Sequence, residues 1–262
     1  MKAFSYLTPF TAEEAVGLLA EHGPQAQVIA GGQSLLLAMK TRTARPAALV
    51  SLAGVAGLSG ARLADSGELL VGATTTYAAL TRAPLTGWHT EIAAIAGNLA
   101  DRPVRTMGTI GGALCAADPR YDMLTLVTGT GARLEVLSPS GLRTLSPEQF
   151  FDSGGGTTLA PDEILATIRF PAADAFSRVV FEKFRPRTFD AALASVLCAA
   201  TPDTVRLTVG AVRPVPVVVS ASAGPAAVAA EVLGADGGTP LVQYQRELVR
   251  SLAARTLSAV RS

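Results

Sequence analysis

The sequence predicts an α+β protein built in three consecutive parts, and three observations carry that prediction. Strand, glycine turn, helical stretch and strand follow one another in the first 57 residues, which describes a small α/β unit. Further strands around one amphipathic stretch fill residues 58–172, a larger α+β unit. From residue 173 three strand-like runs precede two helical ones, which describes a three-stranded antiparallel sheet with helices over 173–262.

The elements follow in order. Thr11-Ala12-Glu13-Glu14 has the form of a capping box, and Ala15, Leu18 and Leu19 recur at helical spacing, so a helix is expected from Thr11 to Glu21, ended by Gly23-Pro24. Gln27 to Ala30 and Ala48 to Leu52 read as short strands. In the second part Glu68 to Thr76 is strand-like, and Trp88 to Ala100 places Ile92, Ile95, Ala96 and Leu99 on one helical face. Ala132 to Leu137, Leu142 to Leu145 and Glu163 to Phe170 are its later strands, with Gly154-Gly155-Gly156 in a loop. In the third part the strands are Arg178 to Phe184, Ala191 to Ala200 and Val205 to Ala211, and the helices run from Pro225 to Leu233 and Leu241 to Val260.

Composition excludes several classes. The formal net charge is +1 with no basic block, which leaves no electrostatic footprint for nucleic acid. Glu13, Glu14 and Glu21 interrupt the start, so no secretory signal is read, and the apolar stretch Val205 to Val219 is broken by Arg206, Arg213, Pro214 and Pro216, which rules out a membrane span. The chain therefore reads as soluble and cytoplasmic. Cys115 and Cys198 are too few for an iron–sulfur cluster, and His22 and His89 lack ligand spacing, so no metal site is expected. With 49% hydrophobic and 16% charged residues, part of the surface is expected to lie against a partner chain.

Two glycine-rich segments stand out, Ala30-Gly31-Gly32-Gln33-Ser34-Leu35 and Gly108-Thr109-Ile110-Gly111-Gly112-Ala113. Paired glycines allow positive φ and bring backbone amides close to an anion, and Gln33, Ser34 and Thr109 add short polar side chains. Neither segment has a lysine at P-loop spacing, and Gly129-x-Gly131 does not complete a dinucleotide fingerprint because Leu134 follows. Each pair alone is what a tight turn would show. Together, in different subdomains, they suit the two phosphates of a dinucleotide held between them. Asp118 and Asp122 follow at a distance where a carboxylate could accept a ribose or ribityl hydroxyl, although Asp118-Pro119 also starts turns.

These two segments and Ala117-Asp118-Pro119-Arg120-Tyr121-Asp122 resemble the FAD-binding signatures of the medium subunit of carbon monoxide dehydrogenase and of the flavin domains of xanthine dehydrogenase and related molybdenum hydroxylases. The likeness continues through Glu163-Ile164-Leu165, Lys183-Phe184-Arg185-Pro186-Arg187 and Asp190, from Tyr6-Leu7-Thr8-Pro9 to the C-terminal helix. The resemblance implies a two-part FAD-binding domain followed by the sheet-and-helix part. It implies that Ala30, Gly31, Gly32, Gln33, Ser34 and the adjoining Leu35, with Thr109, Ile110, Gly111, Gly112 and Ala113, wrap the FAD pyrophosphate. Asp122 would hold a sugar hydroxyl, Leu165 would pack on the isoalloxazine, and Lys183 would lie near its reactive edge. Read without the resemblance, Leu165 is a core leucine and Lys183 a solvated one. Arg187 and Asp190 could simply pair with each other and are left out of the site. Two departures stand out: Ala113 replaces a common asparagine, and Gln33 replaces the histidine of the carbon monoxide enzyme's subunit.

The function implied is electron relay. FAD, bound without a covalent link, would pass electrons to an external acceptor. They would come from two [2Fe-2S] clusters on a small subunit and a molybdenum cofactor on a large one, as a dimer of heterotrimers. No catalytic residue for an organic substrate is expected on this chain. The rival readings are a self-sufficient flavin oxidase or reductase, for which no histidine or tyrosine cluster offers a substrate base, and a flavin-free assembly subunit, against which the intact glycine segments argue.

Overall fold

A computed structural model describes residues 3–235 and 238–261. The first unit holds strand β1 (Ser5–Leu7), helix α1 (Ala12–His22), β2 (Ala26–Ile29), α2 (Leu35–Lys40) and β3 (Ala48–Ser51). Its three strands form a parallel sheet in the order β1-β3-β2. The Thr11 cap forms, with the Glu14 amide donating to Thr11 Oγ1, but the expected box is only half made: the Glu14 carboxylate accepts from the Phe10 amide, one residue before the cap, rather than from Thr11. Ala15, Val16 and Leu19 then face the core.

The second unit runs through β4 (Ala61–Leu63), β5 (Leu69–Gly72), α3 (Tyr77–Leu80), α4 (Thr90–Gly97), α5 (Arg102–Met107), α6 (Ile110–Ala116) and α7 (Asp122–Thr130). It ends with β6 (Arg133–Ser138), β7 (Gly141–Leu145), α8 (Pro147–Phe150) and β8 (Ile164–Phe170). Its five-stranded antiparallel sheet has the order β4-β5-β8-β6-β7. Ile164, Ala166 and Leu137 of this sheet pack with α1, β3 and Leu52, so an apolar seam joins the first two units. The expected strand Glu68 to Thr76 stops at Gly72, because the Ala73 and Thr75 carbonyls turn away to accept the Gly111 and Ile110 amides.

The third unit contains β9 (Arg178–Phe184), β10 (Ala194–Ala200), β11 (Val205–Gly210), β12 (Val217–Ser220), α9 (Gly224–Leu233) and α10 (Pro240–Arg261). The antiparallel sheet has four strands, β12-β11-β10-β9, rather than the three expected. Pro214 and Pro216 masked the fourth; Pro216 lies just outside it, and an edge strand tolerates proline there. Helices α9 and α10 cover one face through Val228, Val232, Val249, Leu252 and Leu257. No helix among the described residues is long and apolar enough to cross a membrane.

Helix α7 lies between units, and all nine of its residues are buried. A helix buried on every side shows no amphipathic period, which is why the sequence pattern does not reveal it. Gly129 and Gly210 let it sit on β10 and β11. A Cβ at Gly129 would come within 2.7 Å of Leu197 Cδ2, and one at Gly210 within 1.9 Å of Thr125 Oγ1. Gly131 caps the helix in the left-handed conformation at φ 65°. The glycine pair that failed as a dinucleotide fingerprint therefore serves packing and capping.

Trp88 and His89 staple the connection that leaves β8. Trp88 Nε1 donates to the Ala172 carbonyl at 2.8 Å, and the buried His89 Nε2 lies 2.7 Å from the Pro171 carbonyl. A carbonyl only accepts, so Nε2 carries the proton, and Nδ1 is left buried with no partner. Burial holds the His89 pKa below its usual value, against the opposite pull of the Pro171 carbonyl. A depressed histidine costs nothing above its unfolded pKa of about 6.5 and erodes stability as pH falls from there towards its folded value. His89→Gln keeps a donor for Pro171 but cannot titrate. Its melting temperature should fall less than that of the wild type between neutral and mildly acidic pH, and parallel curves would contradict this.

Candidate functional site

A cavity of about 890 Å³ opens between the first two units. Its walls include Ala30, Gly31, Gly32, Gln33, Ser34 and Leu35 from the first glycine segment, and Thr109, Gly111, Gly112 and Ala113 from the second. Asp122, Leu165 and Lys183 complete the expected residues found there. Two are not. Ile110 is wholly buried in the core, its amide donating to the Thr75 carbonyl. Asp118 stands outside the cavity wall, because its carboxylate is engaged by Arg120, with Nε at 2.9 Å and Nη2 at 2.6 Å. That guanidinium holds the Asp118 pKa below the usual carboxylate range. Asp118 thus orients Arg120, which does line the cavity.

The two glycine segments differ in kind. In the first, the amides of Gly31, Gly32, Gln33, Ser34 and Leu35 donate to no acceptor among the described residues. Five consecutive uncommitted donors at the start of α2 form a site suited to an anion. Gly32 supplies the positive φ this turn needs, at 70°. Gly31 is required for close approach: a Cβ there would lie 2.0 Å from the Met107 carbonyl oxygen.

The second segment was expected to be a loop offering amides and is instead the N-terminus of α6. Thr109 caps it by accepting from the Gly112 amide at 3.0 Å, and the Gly111 amide donates to the Ala73 carbonyl at 2.8 Å. Neither Gly111 nor Gly112 has positive φ. Gly111 is there because a Cβ would come within 2.5 Å of the Ala73 Cβ, whereas Gly112 is exposed to the cavity. This segment contributes a close-fitting wall and, through Thr109, a hydroxyl.

At the other end of the cavity Lys183 of β9 forms an ion pair with Asp122, the first residue of α7, with side chains 7% and 2% exposed. The reading of Lys183 as a solvated lysine is thereby excluded. Lys183 Nζ also donates to the Asn98 carbonyl at 3.2 Å, and Arg185 donates to the Asn98 carbonyl and Oδ1 at 2.9 and 2.7 Å. Burial pushes the Asp122 pKa up, opposed by Lys183 and Arg185. Leu165, 3% exposed on β8, forms the wall beside Cys115, a residue exposed to the cavity whose thiol the surrounding protein nevertheless pushes up to about 12.

Sequence reasoning missed Tyr77, Leu99, Cys115, Tyr121 and Phe189, and set aside Asp190; all six line the cavity. Tyr121 sat inside the recognised motif, so its signal was available. Its hydroxyl lies 3.1 Å from Ser34 Oγ, and among the described residues this is the one hydrogen bond joining residues 3–57 to the rest. No group of three or more His, Cys, Asp or Glu that could hold a metal comes together among the described residues.

The family described as "FAD binding domain in molybdopterin dehydrogenase" matches residues 2–173, and the chain belongs to that family. It is 34% identical over 200 residues to the carbon monoxide dehydrogenase medium chain of Afipia carboxidovorans, covering 76% of this chain and 69% of the relative. It is 32% identical over 202 residues to caffeine dehydrogenase subunit beta of a Pseudomonas species, covering 76% and 68%. Among solved structures, quinoline 2-oxidoreductase from Pseudomonas putida superposes with a TM-score of 0.84 at 26% identity, covering 99% of this chain and 98% of that one. Carbon monoxide dehydrogenase from Hydrogenophaga pseudoflava gives 0.84 at 28%, covering 98% and 97%.

The residues present fit the cofactor of the family. An apolar-walled cavity of this volume with a row of free amides is what a flavin dinucleotide requires. Two glycine variants separate fold from site. Gly31→Ala should destabilise the protein by roughly 1–3 kcal/mol, because the Met107 carbonyl must move. Gly112→Ala should cost less than about 1 kcal/mol, the value of the disturbed Thr109 cap, yet weaken FAD binding. Equal losses of stability in urea titration would contradict the distinction.

The ion pair gives a further test. Removing one partner of a buried pair costs roughly 3–5 kcal/mol. Lys183→Met and Asp122→Ala should both lower stability by amounts of that order, and a change below about 1 kcal/mol would show that the pair is not formed.

Proposed function

We propose that this chain is the FAD-carrying electron-transfer subunit of a molybdenum-dependent hydroxylase. The observation that carries the reading is the run of five acceptor-free amides, Gly31 to Leu35, on the wall of a cavity that also holds a buried lysine–aspartate pair. Gly31 to Ser34 would hold the pyrophosphate, with Thr109 across from them. Asp122 has one carboxylate oxygen engaged by Lys183, which leaves the other for a sugar hydroxyl. Leu165 would exclude water from one face of the ring system, and Lys183 would place its positive charge near the ring. FAD, when bound, supplies the ability to collect single electrons and release them as a pair. The chain binds and orients that group, and its substrate chemistry belongs to a partner.

Relatives named as medium or beta chains of carbon monoxide, caffeine and nicotine enzymes support a multi-subunit assembly, and iron–sulfur and molybdenum chains are the partners proposed. A dimer of heterotrimers in the cytoplasm is the arrangement proposed. The organic substrate is selected on the molybdenum chain. The alternatives of a self-sufficient oxidase and a flavin-free scaffold gain no support from the cavity.

Reconstitution provides the test. Purified protein should carry one FAD that acid precipitation releases into solution, and an organic substrate should bleach its absorption only after both partner subunits are added. Bleaching by this chain alone would favour the self-sufficient oxidase, and protein that takes up no FAD would overturn the reading.

A further inference from the structure

Tyr77 is the first residue of α3, and Thr76 caps that short helix by accepting from the Ala79 amide. The tyrosine is only 8% exposed, and its ring is wedged against Gly108, where a Cβ would lie 2.9 Å from Tyr77 Cε2. The ring therefore has a fixed direction. Its hydroxyl makes no hydrogen bond to any described residue, yet it is not sealed inside the protein as His89 Nδ1, Thr128 Oγ1 and Thr208 Oγ1 are. The tyrosine lines the cavity, so that is where the hydroxyl has access. A buried phenol normally finds a partner, and this one has none in its own chain.

Its surroundings say which part of a ligand it meets. Burial raises the phenol's pKa, and the nearby Tyr121 and Asp122 add to the rise electrostatically, so it remains a proton donor at any working pH. Tyr121 in turn reaches the Ser34 hydroxyl, while Asp122 reaches Lys183. Gly108, on which the ring packs, lies between Met107, whose carbonyl touches Gly31, and Thr109, so Tyr77 stands where the two glycine segments meet, with Asp122 within electrostatic reach.

We propose that Tyr77 is a cofactor-binding residue whose hydroxyl donates a hydrogen bond to an oxygen of the ribityl–diphosphate span of FAD. The assignment rests on the FAD reading above. Tyr77→Phe keeps the ring against Gly108 and removes only the donor. Apo forms of the full chain, wild type and variant, are titrated with FAD by flavin fluorescence, and each is melted with and without FAD.

The variant should bind FAD roughly tenfold more weakly. Its apo form should melt at or above the wild-type temperature, since no bond within the protein is lost, and FAD should raise its melting temperature less than it raises that of the wild type. Equal affinities would overturn the assignment. So would an apo variant that melts lower than wild type, because the phenol would then serve the fold. A wild-type chain that fails to bind FAD would overturn the FAD reading itself, and the role of Tyr77 with it.

Discussion

The site depends on two places where backbone rests directly on backbone. Gly31 lies against the Met107 carbonyl and Gly111 against Ala73, with no room for a Cβ at either contact. Met107 ends α5, and only Gly108 and Thr109 separate it from α6, so the first contact also fixes where α6 begins relative to the loop after β2. The second ties α6 to the end of β5. Side chains cannot set such distances as sharply, because they rotate and the peptide unit does not. Between these contacts the cavity has walls of nearly fixed separation. Elsewhere the first unit is attached by apolar packing at Ile164, Ala166 and Leu137, which is strong but not directional. The Ser34–Tyr121 hydrogen bond is the polar element that registers one wall against the other.

The third unit is part of the same construction. Helix α7 begins inside the cavity with Asp122 and ends under β10 and β11, where Gly129 and Gly210 admit it. β9 returns from that sheet with Lys183 to meet Asp122. The ion pair is buried, and its worth lies in alignment as much as in stability: each charge is tolerated only where the other lies. Asn98 at the end of α4 holds both Lys183 and Arg185, so three elements, α4, α7 and β9, converge on one edge of the cavity. Loosening the third unit would therefore disturb this edge of the cavity, although the family match ends at residue 173.

Local patterns in the sequence made much of this legible. The Thr11 cap, the strands flanking the first glycine segment and the β9–β11 runs all carry short-range signals that tertiary contacts reinforce. The sequence also hid the short elements β1, β4, α3, α5 and α8, and three further omissions have specific physical reasons. α7 is buried on every side and so lacks a period, α6 begins with two glycines that read as a loop, and β12 follows two prolines. Among site residues, the motif identified segments that line the cavity but not each residue's task. Ile110 and Asp118 belong to the motif because they hold other parts in place. Tyr77 lies outside any motif, and only the fold shows that its hydroxyl is unengaged.

A glycine pair in sequence signals backbone freedom or backbone proximity, and those have opposite consequences for binding. At Gly31 to Leu35 the chain turns without satisfying its own donors, and the stabilisation forgone there is available to an anion. At Ile110 to Gly112 the amides are already engaged with Thr75, Ala73 and Thr109, so an anion brought there would have to compete with the protein's own acceptors. On the proposed reading the two segments would therefore not share the phosphates evenly. The first would bind with its backbone, and the second, held rigid by its own hydrogen bonds, closes the opposite wall and presents the Thr109 hydroxyl. On this account the loss of asparagine at Ala113 removes a side-chain contact from the wall that depends least on backbone donors, and leaves the amide cradle at Gly31 to Leu35 intact.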